Sequence, residues 1–148
     1  TEKICAMSSI KSLLPQVFKF TFEIPVRITD INYGGHVGND SILSIIHEAR
    51  MQFLTHHGFT ELDCGGVGLI MSDVGIEFKK EVFYGDVLEI NVAATNFSSI
   101  GFDLYYQLLK TDQSIVAAAK TGMICYNYSF KKITQVPTVV KEKLEGSR

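Results

Sequence analysis

Thr29-Asp30-Ile31-Asn32-Tyr33-Gly34-Gly35-His36-Val37-Gly38-Asn39 is the stretch on which the reading of this chain turns. Glycines, one histidine and short polar residues stand between two segments of different hydrophobic period. Upstream, residues 17–28 alternate. Phe18, Phe20, Phe22, Ile24, Val26 and Ile28 share one face, and Lys19, Thr21, Glu23 and Arg27 the other. A period of two over that length predicts a half-buried strand. Pro25 lacks an N–H and predicts an edge or a bulge. Downstream, residues 40–57 take helical spacing, with Ile42, Ile45, Ile46, Ala49 and Phe53 on one face and Leu43 and Leu54 beside it. Asn39 or Asp40 is the expected N-cap and Gly58 the expected stop. A strand-to-helix junction of this kind can bring backbone N–H groups and reactive side chains to one point.

Four further strands are expected. Residues 67–81 start with Val67, Leu69 and Met71 on one face and continue with Val74, Ile76 and Phe78. The apolar parity changes near Ser72–Asp73, which predicts a bulge or bend. Gly85-Asp86 is a turn signal. Leu88, Ile90, Val92 and Ala94 alternate next, then Phe102, Leu104, Tyr106 and Leu108. Thr111-Asp112-Gln113 predicts a hairpin turn, and residues 114–128 the last long strand. Residues 138–146 are a charged tail with room for a short helix. The four later strands are expected as an antiparallel meander, with the single long helix burying its apolar face against it.

Composition narrows the function classes. A chain of 148 residues with a 46% hydrophobic fraction suits one domain and one core. The expected layout is a single domain over 1–148, with its core at about 17–130 and with 1–15 and 138–148 as peripheral tails. The net charge is −2 without a basic block, which gives nucleic-acid binding no support. No apolar run approaches the ~18 residues of a membrane span. Met7 to Leu14 is too short and polar for a secretory core. Cys5, Cys64 and Cys125 are odd in number and widely spaced, forming neither a metal pattern nor a disulfide framework. A reducing cytoplasm is the expected compartment. His56-His57 has no third ligand at useful spacing, so no metal is expected.

The order strand, helix, four strands, with a Gly-His junction before the helix, resembles the hotdog fold, an α+β fold in which a curved antiparallel sheet wraps one long central helix. The nearer resemblance is to the 4-hydroxybenzoyl-CoA thioesterase-like branch. Its signature has the form Asp-x-Asp-x-x-Gly-His-Val-x-Asn, followed by Glu-Ala-Arg. This chain has Asp30-Ile31-Asn32-Tyr33-Gly34-Gly35-His36-Val37-Gly38-Asn39, then Glu48-Ala49-Arg50, and later Phe78-Lys79-Lys80-Glu81-Val82-Phe83-Tyr84-Gly85-Asp86. The resemblance covers roughly residues 17–130. It implies an acyl-CoA thioesterase acting on an acyl-CoA or acyl carrier protein thioester. It also implies a homodimer or homotetramer, and no cofactor beyond the coenzyme A of the substrate.

Thioester hydrolysis needs a donor to polarise the carbonyl and a group to activate water or attack directly. In the family the second Asp of the signature usually takes the second role, and here that position is Asn32. An amide does not titrate near neutral pH, so it is no general base. It can hold a water or a substrate oxygen. Asp40 in the first helical turn, Glu48 two turns on and His36 in the junction are the candidate bases, histidine because it titrates near neutrality. Gly35, Val37 and Asn39 are candidate contributors to substrate and oxyanion binding. Asp73 joins them because the expected bulge would turn it toward the site. Each has a bland reading: Asp40 as a cap, Glu48 paired with Arg50 or Gln52, His36 bonded to loop carbonyls, Asn32 as a turn residue. Lys79 and Lys80 suit either phosphate contact or a solvated strand end. The competing function is a non-catalytic acyl-CoA or acyl-carrier binding hotdog module, which the amide at position 32 motivates. A hotdog hydratase fits poorly, since His47 and Glu48 point different ways on a helix.

Overall fold

The computed structural model describes residues 9–145; Cys5 and most of the 1–15 tail lie outside them. A short helix α1 (Ile10–Leu13) precedes strand β1 (Phe20–Pro25) and a tight turn at Ile28–Asp30. The long helix α2 (Asn39–His56) follows, then β2 (Gly68–Phe78), β3 (Val87–Thr95), β4 (Gly101–Leu109), β5 (Ile115–Asn127), the two-residue β6 (Lys132–Ile133) and α3 (Thr138–Glu145). All pairings are antiparallel, in the order β1-β3-β4-β5-β2, with β6 added to β5.

The apolar faces meet as their spacing requires. Ile46, Ala49, Phe53 and Leu54 of α2 are fully buried against Leu88, Ile90, Leu104, Tyr106 and Leu108 of β3 and β4. Each large aliphatic or aromatic side chain so buried contributes about 1.5–3 kcal/mol. Gly58 ends the helix at φ +83, a conformation glycine adopts without strain. Pro25 closes β1, an edge strand. The expected phase change is a bulge between Met71 and Asp73.

Four expectations are corrected. The strands do not form one continuous meander: β3, β4 and β5 do, but β2 pairs with β5. Both edges of β3 are taken by β1 and β4, so β2 joins the free edge of β5. Ile28 leaves the strand face and is exposed, because the chain turns at Arg27–Asp30. The helix is capped by Gly38, without a side-chain bond, rather than by Asn39 or Asp40. The 138–146 segment does form a helix, but its Val140 and Leu144 are fully buried, so it is docked on the core. Among the described residues no helix is long and apolar enough to cross a membrane.

Candidate active site

The junction between β1 and α2 is held by its own backbone. The Arg27 N–H and guanidinium donate to the buried carboxylate of Asp30, at 2.8 Å and 3.3 Å. The carbonyl of Asp30 accepts the Gly38 N–H at 3.3 Å. Between these ends the chain forms a tight loop. Asn32 N–H donates to His36 O at 2.9 Å, Gly35 N–H to Asn32 O at 3.1 Å, and Gly34 N–H to Asn32 Oδ1 at 2.9 Å. Gly35 sits at φ +80, where a Cβ would be strained. The Val37 N–H donates to Val82 O at 2.7 Å and docks the loop on the chain leaving β2.

This loop gathers three of the predicted side chains around two glycines. A Cβ on residue 34 would lie 3.2 Å from His36 Nε2 and 3.3 Å from Asn32 Oδ1. A Cβ on residue 38 would lie 2.8 Å from Asp40 Oδ1 and 3.7 Å from Asn32 Nδ2. Asn32 thus stands between His36, which shares the space over Gly34 with its Oδ1, and Asp40, which shares the space over Gly38 with its Nδ2. His36 Nδ1 stands 3.2 Å from Val37 O. A carbonyl only accepts, so Nδ1 is the donor in that contact, and in the neutral ring Nε2 then carries the lone pair. Asp40 has no hydrogen bond or ion pair among the described residues. The uncapped helix start leaves its first N–H groups open beside it. A cleft of about 230 Å³ opens on the His36 side of the junction, lined by His36, Val37, Asn39, Ile42 and the Phe78–Val82 segment with Lys79 and Lys80; Asn32, Gly38 and Asp40 border it without lining it.

The other candidates fall elsewhere. The N–H groups of Gly35 and Val37 are committed to Asn32 O and Val82 O, so neither serves as an oxyanion donor in this arrangement. That leaves the helix start, at Asn39 and Asp40. Glu48 lies eight residues along α2 from Asp40, ~12 Å at the helical rise. It accepts a bond from Gln52 at 2.8 Å and faces a separate groove of about 390 Å³ between α2 and β1. Asp73, at the bulge, lines a third cleft with Ser98 and Asn96, away from the junction within this chain. Its carboxylate bonds to Lys120 Nζ at 2.9 Å and to Ser72 Oγ at 3.0 Å. Those two partners hold it below the usual carboxylate range.

Three features escaped the sequence. Gly38 matters for space rather than conformation: its φ of −75 suits any residue, but a side chain there would strike Asp40. Its nearness to the carboxylate has no signature in spacing. The Arg27–Asp30 clamp was not anticipated, although an Arg and an Asp three apart across a turn are a signal for such a pair. Arg50, on the apolar side of the helix, is buried and bonds to Glu61 at 3.1 Å and Tyr106 Oη at 3.4 Å, not to Glu48. Burial opposes its charge, but Tyr106 and Glu61 outweigh that and raise its pKa.

Comparison with known proteins fits this geometry. The family model described as "Thioesterase-like superfamily" matches residues 26–144, which spans the junction, the long helix and every strand but β1. A 1,4-dihydroxy-2-naphthoyl-CoA hydrolase of Microcystis aeruginosa is 28% identical over 126 residues, covering 83% of this chain and 91% of its own. One from Crocosphaera subtropica is 23% identical over 133 residues, covering 86% and 97%. The structure of a 1,4-dihydroxy-2-naphthoyl-CoA thioesterase from Synechocystis superposes with a TM-score of 0.77 at 23% identity, covering 84% of this chain and 94% of that one. That likeness bears out the hotdog fold, one long helix packed on an antiparallel sheet. With the junction, the fold and the family model in agreement, the chain belongs to the thioesterase-like superfamily, a family of thioester hydrolases.

Proposed function

We propose that this protein hydrolyses an acyl-CoA thioester to the free acid and coenzyme A, with Asp40 as the general base. The observation that carries this is the Asp40 carboxylate, unpaired among the described residues, lying over Gly38 beside an uncapped helix start. The thioester carbonyl docks against the first N–H groups of α2, where the helix dipole favours developing negative charge. Water between Asp40 and the carbonyl carbon gives its proton to Asp40 as its oxygen attacks. His36 Nε2 accepts a hydrogen bond from the same water and orients it. The tetrahedral intermediate then expels the thiolate, which takes up the proton, and the acid departs. No metal or further cofactor enters this scheme. The named relatives favour an aromatic acyl group, and the apolar floor formed by Val37, Ile42 and Val82 suits one.

The working form in this reading is a homodimer or larger assembly. Strand β2 is a sheet edge, and Met71, Val74 and Phe78 on it are substantially exposed, a pattern that a second copy would cover. The free, buried thiols of Cys64 and Cys125 agree with a cytoplasmic setting. The test is release of thiol from a panel of aromatic and aliphatic acyl-CoA thioesters, with sedimentation to give the assembly state. Turnover of at least one class is expected. Tight binding of coenzyme A thioesters without turnover would overturn it in favour of a binding module.

A further inference from the structure

We infer that Asn32 is a catalytic hydrogen-bond donor to the thioester oxygen, and so plays the opposite electrostatic role to the carboxylate that its position in the signature implies. The inference rests on the thioesterase reading above and goes further by assigning the amide its own task.

The orientation of the amide is fixed by its partner. The Gly34 N–H, 2.9 Å from Oδ1, can only donate, so the oxygen of Asn32 is turned to the loop and Nδ2 is turned away from it. Nδ2 then faces Gly38, and Asp40 Oδ1 faces the same glycine. No hydrogen bond links Nδ2 to Asp40 or to any other described group, so its two N–H donors remain open. An acceptor and a donor therefore lie over the same glycine at the helix start. Water held by Asp40 and a carbonyl oxygen held by Nδ2 and the helix N–H groups would satisfy both. As the water attacks, negative charge grows on the thioester oxygen. A neutral donor stabilises it there, and a carboxylate would repel both that oxygen and Asp40.

Asn32→Asp separates this from the alternatives because it is nearly isosteric. One carboxylate oxygen keeps the Gly34 N–H bond, so the loop is preserved and the melting temperature should hold. What changes is Nδ2, which becomes a second acceptor bearing charge. Removing one such donor elsewhere lowers kcat about 10²–10³-fold, and a loss of that order is expected here with KM little altered. The acid limb of the pH–rate profile should move to higher pH, since two carboxylates over one glycine resist joint ionisation. The other ionisable groups at the cleft, His36, Lys79, Lys80 and Glu81, are unchanged by the substitution. Unchanged or increased turnover in Asn32→Asp would overturn the inference while leaving the thioesterase reading intact.

A second measurement does not depend on turnover. Carbon-detected NMR titration of Asp40 should show its midpoint moving to higher pH in Asn32→Asp relative to the wild type. An unmoved Asp40 would place the two groups too far apart to share a substrate, and would also overturn the inference. Wild-type protein inert toward every thioester, but with Asp40 displaced in this titration, would instead count against the hydrolase reading.

Discussion

Asp40 and Asp73 are both carboxylates at a break in regular structure, one at a helix start and the other at a strand bulge. Their surroundings differ in the respect that matters for chemistry. Asp73 is satisfied: Lys120 and Ser72 bond both of its oxygens, and a second carboxylate, Asp103, lies 3.7 Å from the same ammonium. Among the described residues Asp40 has no hydrogen-bond or ion-pair partner, and its Oδ1 lies over Gly38. A general base must have a free lone pair beside a place for substrate. By that measure Asp40, and not Asp73, meets what the proposed mechanism asks of a base.

The largest expected effect breaks the comparison if it fails. Asp40→Asn should lower kcat by about 10²–10⁴-fold, the usual worth of a positioned base. Asp73→Asn should leave kcat within a few-fold. Both are read by steady-state thiol release on whichever acyl-CoA the wild type hydrolyses. Loss of activity in Asp73→Asn alone would move the base to the bulge, where a second copy of the chain would have to deliver it to the junction.

A smaller effect sharpens the contrast between two glycines of the same loop. Gly38→Ala introduces a methyl 2.8 Å from the flexible end of Asp40, at a φ that alanine accepts. The carboxylate gives way, so activity should fall about tenfold or more while stability changes little. The energetic basis is the misplacement of a reacting group, for which about 1 Å can cost about 10²-fold. Gly35→Ala meets open space but forces a side chain onto φ +80, at a cost of about 1–2 kcal/mol. It should therefore lower the melting temperature first. Thermal denaturation alongside kinetics distinguishes the two outcomes.

Much of this was legible in the sequence, for identifiable reasons. Period two placed β1, and helical spacing placed α2 to within a residue at each end. The parity change at Ser72–Asp73 located the bulge. These signals are local, and burial on one face enforces them. The pairing of β2 with β5 was not legible, because strand partners depend on which edges other strands have already occupied. At the junction the sequence supplied Asn32, His36 and Asp40 as chemical types. It did not reveal which N–H groups the loop would consume. The hydrogen bonds of Gly35 and Val37 removed two expected donors, and only folding shows that. Likewise Glu48 matched a motif position, yet the helical rise carries it away from Asp40 to another groove.

The smallest expected effect concerns acid stability, and it returns to the bulge. The Lys120 ammonium first, and the Ser72 hydroxyl second, hold the Asp73 carboxyl below its ordinary value in the folded chain. The unfolded chain binds that proton at about pH 3.9. Folding therefore gains stability from this group above that pH, and loses it as the pH falls through the lower folded value. Lys120 is pushed up by the same contact, Asp73 being the main cause. Asp73 is 56% exposed, so solvent screening holds the pair to no more than about 1 kcal/mol. Melting curves between pH 6 and pH 2 should show Asp73→Asn less stable than wild type at the upper end, with the gap closing toward the acid end. A gap that persists at low pH would mean that packing at the bulge, and not its ion pair, is what Asp73 contributes.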